Sequence, residues 1–490
     1  MGVEQIKRVV VLMLENRSFD HMLGALPGID GASVANVNRG SNGDVYSQAL
    51  NDNFKSPNKL DPRHEFANVQ KQLGPGAAPR PMSGFVQDAQ DTAARLSGFG
   101  DLQASEQRRT IQSVMDCFSD GALPGLQALA REFAVCERWF ASVPGPTWPN
   151  RFFAMMGSCH GQLEMPSGLS SALVAVRAIA DQIGKETIFS VLGAGQSGVY
   201  SDYLVPLSIL LKGSGTRSSI NTFCDHVDAG TLPSFTWIEP NFSSNIAHAT
   251  SQHPPEDVRR GDNFIVAVYN KLRGNPTVWN ETLLVVLYDE HGGFYDHVAP
   301  VATVKADSHP SHPAFDYDIT GCRVPCVLVS PWIKRSVVSQ DYDHTSLLAF
   351  VCDQFGKSDQ RASLGQRVQA TDHFGAAPIW CDVARDDTPA QLAKSDIPAS
   401  LDQEEASADL DDLQLKLLMG LDAYARTHSA FSSPLLLRSH ILGATGVADR
   451  ASPVGVAADA RIAQAWAQTG EVDAAQVEAM LAHVKGAFAP

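Results

Sequence analysis

Two stretches of the chain are apolar almost without interruption and then stop on paired polar residues. Residues 283–288, LLVVLY, lack the alternation of a half-exposed strand and predict a parallel strand covered on both faces. This run ends at Asp289-Glu290, and Gly292-Gly293 then let the backbone turn tightly. Residues 8–14, RVVVLML, form a second such run and end in Glu15-Asn16. Further strands are predicted at 198–203, at 235–239 (FTWIE) and at 324–330 (VPCVLVS). Helical spacing runs through 105–140, with Leu126, Leu129, Ala130 and Phe133 in phase, and through 172–192. It returns from Asp257 to Leu272 and, behind a cap at Asp343 to Ser346, as far as Phe355. Buried strands alternating with helices predict an α/β fold with a mostly parallel sheet.

The polar intervals are as informative. Residues 24–82 are rich in Gly, Asn, Asp and Pro, and read as a loop-rich insertion over the strand edge. Asp61-Pro-Arg-His64-Glu65 lies inside it. In SVPGPTWPNR, residues 142–151, the prolines exclude a regular element before Asn150, so Thr147 is expected in a stiff turn with a helix starting at Arg151. The His253-Pro-Pro stretch is expected to precede its helix, whose first turn carries Glu256 and Asp257. Past Gly356 the character changes: 357–405 are polar and irregular, and helical spacing returns near 408–427 and 457–488. Residues 1–356 therefore read as the main domain and 357–490 as an irregular, then helical, C-terminal extension without chemistry of its own.

Charge narrows the classes of partner. Among 490 residues, 54 acidic against 38 basic give a formal charge of −16, the reverse of the footprint that nucleic-acid binding needs. The eight cysteines form no CxxC pair, and are expected as buried thiols with at most one disulfide. No apolar run reaches the length of a membrane span, and the first one looks like a strand rather than a signal peptide. The chain as written is thus expected in the cytoplasm, with export from a processed form or by another route as the alternative.

Ligands of open parallel sheets bind at the carboxyl ends of the strands. Two strands ending in Glu15-Asn16 and Asp289-Glu290 would deliver four oxygen-bearing side chains to one place, the donor type that a divalent cation takes. A shared metal and two unrelated polar loops both fit the spacing. A hydroxyl such as Thr147 at a helix start is either a cap or a nucleophile beside N–H groups and a positive dipole end.

With Glu15-Asn-Arg-Ser-Phe-Asp-His21, GPTWPNR around Thr147, His253-Pro-Pro and Asp289-Glu-His-Gly-Gly-Phe-Tyr-Asp-His297 in this order, residues 6–355 resemble a bacterial phosphoesterase family. It contains phospholipases C of the non-haemolytic type and the acid phosphatase AcpA, and belongs to the alkaline-phosphatase-like superfamily. The resemblance implies a central mostly parallel sheet flanked by helices, with Glu15, Asn16, Asp289 and Glu290 as metal ligands. It implies Thr147 as nucleophile and further ligand, where phosphatase members carry Ser. His64 and His253 match histidines placed around the phosphate. His344 matches a late histidine, which in the wider superfamily can join a second metal site, here with His253 and Asp257.

The function so implied is metal-dependent hydrolysis of phosphate esters, with phospholipase C activity through a phosphothreonine intermediate as the leading reading. A broad acid phosphatase is the alternative within the class, and a non-catalytic effector or binding protein the alternative outside it. Zinc or calcium is the expected ion, although oxygen ligation also admits magnesium. The expected partners are a phospholipid or phosphate-ester substrate and, transiently, a membrane surface. Trp148, Phe294, Tyr295 and Trp332 are candidates for choline contact through cation–π attraction.

Overall fold

The computed structural model describes residues 2–164, 185–202, 207–215, 217–242, 249–306 and 315–398. Eight strands form the central sheet: β1 (Arg8–Leu14), β2 (Ala134–Cys136), β3 (Ser197–Tyr200), β4 (Arg217–Ser218), β5 (Phe235–Ile238), β6 (Thr282–Tyr288), β7 (Cys326–Val329) and β8 (Ser336–Val338). Their order is β8-β2-β7-β6-β1-β5-β3-β4. Within this sheet only β7 runs against its neighbours. The architecture is the expected α/β one, mostly parallel with flanking helices.

The two uninterrupted apolar runs are the central pair. All seven residues of β6 are buried, as are all those of β1 after Arg8. Strands covered on both faces have no reason to alternate. They pair in unbroken parallel register from Arg8 with Thr282 to Leu14 with Tyr288. Register therefore fixes the site: the residues after Leu14 and after Tyr288 leave the sheet at the same height. The helices Leu126–Glu132, Thr147–Met156, Val258–Gly274 and His344–Gln354 contribute to the core around this sheet.

A smaller core stands beside the main one. Tyr46, Leu60, Val69, Phe85, Val86 and Met115 pack with Tyr295 from the loop after β6. The insertion after β1 thus folds into a cap, which contains the helices Phe66–Leu73 and Phe85–Ala93 and a hairpin of Val37–Arg39 with Val45–Ser47.

Two other expectations, for residues 105–140 and for the helix of Thr147, need correction. Residues 105–140 are not one helical stretch: helices Ala104–Gln112 and Leu126–Glu132 are followed directly by β2. A three-residue buried strand is too short for its period to show. The helix of Thr147 starts at Thr147 itself, because Pro149 falls in a first turn, where its missing N–H costs nothing. All eight cysteines are free thiols. The irregular segment past Gly356 packs on the sheet domain, with Leu364, Val368, Phe374, Trp380 and Leu392 in the main core. Arg367 from this segment is buried and donates to Asp343 at 2.9 Å and to the carbonyls of Ser142 and Tyr317 at 2.7 Å. The helices expected at 408–427 and 457–488, and much of that at 172–192, lie outside the described residues. Among the described residues no helix is long and apolar enough to cross a membrane.

Candidate active site

The acid and amide after β1 meet the two acids after β6. The Asn16 N–H donates to Asp289 Oδ1 at 3.1 Å, across 273 positions of sequence. The same oxygen accepts from the Glu290 N–H at 2.7 Å, and the Arg17 N–H donates to the Glu290 carbonyl at 3.0 Å. Asn16 takes a left-handed φ of 57°, a conformation that Asn tolerates better than most residues. Gly292 and Gly293 also have positive φ, and a Cβ on Gly292 would lie 2.1 Å from the Asn16 carbonyl oxygen. The two loops approach closely because that position has no side chain.

Thr147 reaches this junction from the start of its helix. Its hydroxyl donates to Asn16 Oδ1 at 3.3 Å, in the first turn, where backbone N–H groups and the dipole favour an anion. Asn150 fixes the preceding GPT turn by donating to the carbonyls of Val143, Gly145 and Pro146. One turn after Thr147, on the same face, Arg151 is buried among acids. It donates to Asp289 Oδ2 at 3.0 Å, pairs with Glu15 at 3.6 Å and bonds to Glu239.

His64 comes from the cap and stands 3.3 Å from the Asn16 amide, with its Nδ1 3.1 Å from the Pro62 carbonyl. The His253 ring lies edge-on to it at 5.6 Å between centroids, its Nδ1 bonded to the Pro254 carbonyl at 2.6 Å. His344 is in the cluster too, but below it. Its Nδ1 accepts from the Trp139 indole at 3.3 Å, so Nε2 carries the proton that it donates to the Asp289 carbonyl at 2.7 Å.

The electrostatics follow from burial. Loss of water raises the Asp289 carboxyl to about 7 despite Arg151, with Glu290 adding to the rise. Burial likewise holds Glu15 well above the usual carboxylate range, against the pull of Arg151. Burial also opposes the charge of Glu290, but His64 and His291 outweigh it and hold its carboxyl below the usual range. For His64, burial is outweighed by Glu290, Asp61 and Glu65, which push the imidazole up to about 9. Burial lowers His344 to about 4, so it is neutral at its post.

Three buried acids, Glu15, Glu239 and Asp289, thus surround one guanidinium, and a fourth, Glu290, adjoins Asp289. One carboxylate oxygen each on Glu239 and Glu290 is buried without a hydrogen-bond partner. Excess negative charge with unmet acceptors in an oxygen-rich setting fits a divalent cation. By contrast, Asp20, Asp296 and His297 bring their ligand atoms within 4.8 Å of one another, but this triad is already balanced. Arg323 donates to both carboxylates at 2.8 Å.

Some sequence candidates fall away. The second-metal set is not assembled: Asp257 caps the helix Val258–Gly274 and is paired with Arg259 at 2.7 Å, while both nitrogens of His344 are used elsewhere. Trp332 is at the opposite end of the sheet, its indole bonded to the carbonyl of Asn280 just before β6, because β7 runs antiparallel and carries the chain away. Trp148 and Tyr295 are buried in the two cores, and Phe294 is occupied by Arg17 at 4.6 Å and by the stacked His21 ring. Arg151 and Glu239 were missed. Glu239 carried the signal already used elsewhere, an acid at the end of an apolar run.

A model of the Phosphoesterase family matches residues 6–357, well over half of the chain. The chain belongs to the phosphoesterase family. This phosphoesterase is 35 % identical over 385 residues to non-specific phospholipase C6 of Arabidopsis thaliana, covering 72 % of this chain and 68 % of the relative. It is 28 % identical over 406 residues to phospholipase C B of Mycobacterium tuberculosis, with 72 % and 73 % covered. Non-hemolytic phospholipase C of Burkholderia pseudomallei is 29 % identical over 414 residues, with 72 % of this chain and 55 % of that protein covered. The match thus spans about two thirds of the length of the Arabidopsis relative. Like its family, this phosphoesterase is an ester hydrolase.

Proposed function

We propose that this phosphoesterase is a phospholipase C that cleaves phospholipid phosphodiesters through a phosphothreonine intermediate. The observation that carries the reading is the bond between Thr147 and Asn16 at the junction of β1 and β6, inside the cluster of buried acids. The relatives' names support the diester substrate. Glu15, Asn16, Thr147, Asp289 and Glu290 would hold a divalent cation, which supplies charge that favours the threonine alkoxide and draws in a phosphoryl oxygen.

The chain's own residues do the rest. Asn16 aligns the Thr147 hydroxyl, and the helix start beneath it favours the incoming phosphate. Attack of Oγ1 on phosphorus forms one P–O bond, breaks the ester bond to diacylglycerol and gives the Thr147 proton to solvent; water then breaks the P–Oγ1 bond, freeing the phosphorylated head group and restoring the hydroxyl. His64 and His253 each have Nδ1 against a backbone carbonyl, which orients the rings. In this reading His64 donates to a phosphate oxygen, and His253 protonates the departing alkoxide, then activates water for the second step. His344 acts through Asp289, whose backbone it holds, and so is a positioning residue. Arg151 keeps Asp289 and Glu15 together.

The test is a pair of assays, on p-nitrophenylphosphorylcholine and on p-nitrophenyl phosphate, each with and without chelator. Faster turnover of the diester, lost with chelator and restored by one added cation, is the expected result. Preference for the monoester would replace the phospholipase reading with an acid phosphatase. No hydrolysis of either by the metal-loaded protein would leave a binding protein.

A further inference from the structure

Large aliphatic side chains left in water are few among the described residues, and four of the seven fall in one short stretch of the insertion: Val34, Val37, Val45 and Leu50. Val34 is 77 % exposed and Leu50 61 %. Isolated apolar side chains on a surface need no explanation, but a group of them does. The hairpin of Val37–Arg39 and Val45–Ser47 is two-faced, since Asn38 and Tyr46 pair and are buried while Val37, Arg39 and Val45 are exposed. Its inner face is fixed to the cap. Asn38 donates to the Met82 carbonyl at 2.7 Å and accepts from the Val86 N–H at 3.2 Å, and Tyr46 enters the small core.

The charge around this outer face runs against that of the whole chain, whose net charge is −16. Arg39 projects within it. Arg108 lies along its edge, its guanidinium 4.3 Å over the Tyr46 ring and donating to the Val45 carbonyl at 2.8 Å. Arg109 beside it is exposed. Asp44 at the hairpin tip is 3.9 Å from Arg108 and half in solvent.

The hairpin also stands on the same edge of the sheet as the site. At its entrance the Asp30 N–H donates to Glu137, just past the carboxyl end of β2. At its exit Ala49–Leu50 pairs with Asp116–Cys117, and the next residue, Phe118, donates to the carbonyl of His21 in the loop after β1. The same insertion then supplies Asp61 and His64.

We propose that the outer face of this hairpin docks on a phospholipid bilayer containing anionic headgroups. Val37 and Val45 on that face, with the exposed Val34 and Leu50 that flank the hairpin in the chain, enter the boundary between headgroups and acyl chains, and Arg39 and Arg108 meet the phosphates. The purpose of this surface rests on the phospholipid reading of the site. It would hold the carboxyl edge of the sheet against the layer that carries the substrate.

The experiment is co-sedimentation of the full chain with vesicles of phosphatidylcholine, and of phosphatidylcholine mixed with phosphatidylglycerol. The variants are Val34→Asp with Leu50→Asp, and Arg39→Glu. Both sites are solvent-exposed, so folding is retained, as checked by an unchanged melting temperature. The double aspartate variant is expected to lose about tenfold in partitioning to both vesicles. Arg39→Glu is expected to lose binding to the mixed vesicles only. Hydrolysis of soluble p-nitrophenylphosphorylcholine should be unchanged in both, while hydrolysis of vesicle lipid falls. Wild-type protein that stays in the supernatant with both vesicles overturns the proposal. So does a double variant that binds as well as wild type, or a wild type whose face is taken up by a second copy, seen as concentration-dependent dimerisation that the double variant abolishes. Absence of diester hydrolysis by a wild type that binds vesicles would sink the phospholipase reading and leave the docking surface standing.

Discussion

The loops that leave β1 and β6 contribute to two buried ionic clusters with different balances. In the first, Arg323 bonds to Asp20 and Asp296, and His297 adds a further bond to Asp20 at 2.9 Å. The remaining oxygens are also used: Gln48 donates to Asp20, and the Asp20 N–H to Asp296. In the second, Arg151 faces three carboxylates beside a fourth at Glu290, and oxygens on Glu239 and Glu290 have no partner. A buried charge set that is internally satisfied holds loops in place, whereas one left with an excess of a single sign is arranged for something not made of protein. Proximity of acids alone does not separate the two. The balance of charge and hydrogen bonds does.

Each cluster can be broken on its own terms. The largest effect is expected from Thr147→Ala, which should lower kcat by on the order of a thousandfold or more, with metal content and melting temperature near wild type. Turnover within tenfold of wild type would remove Thr147 from the mechanism. Asp289→Asn should lose bound metal and activity together, read by elemental analysis beside the diester assay, and retention of both would end the ligand assignment. Arg323→Met should leave Asp20 and Asp296 buried and uncompensated, costing about 3–5 kcal/mol in urea unfolding. Its metal stoichiometry should remain that of wild type, since the proposed function assigns the ion to the other cluster.

The smallest effect separates the clusters by pH. Burial opposes the charge on His297, but its bonds and attraction to Asp20 outweigh this and push the imidazole up to about 9, against an ordinary value of 6.5. A group whose folded value is raised stabilises the fold fully below its unfolded value and loses that contribution as pH rises through the folded one. The urea midpoint of wild type should therefore fall between pH 7 and pH 10 by more than that of His297→Gln. Equal slopes would show that His297 adds nothing to the balanced cluster.

Much of this site was legible because it follows from the ends of two strands. An apolar run without alternation announces a strand buried on both faces, and the polar residues that end it must lie at the carboxyl edge. Glu15, Asn16, Asp289 and Glu290 could be read that way, and Glu239 could have been. Arg151 was harder to find, since a basic residue in a proline-rich stretch has no periodic signal and gains its meaning only from the acids around it. The downward role of His344 depends on Trp139 and on the Asp289 carbonyl, which no spacing in the sequence connects. Trp332 was placed near the site by its position after a strand, and the antiparallel direction of β7 put it at the far end.

The sequence alone determined the two central strands, the chemistry at their ends and the close turn at Gly292-Gly293, because these depend on local burial pattern and on backbone sterics. The tertiary structure decided which acids share a guanidinium, which histidine nitrogens are engaged and which buried oxygens have no partner. Those are properties of pairs far apart in the chain, and they come into being only when parallel register sets Leu14 beside Tyr288.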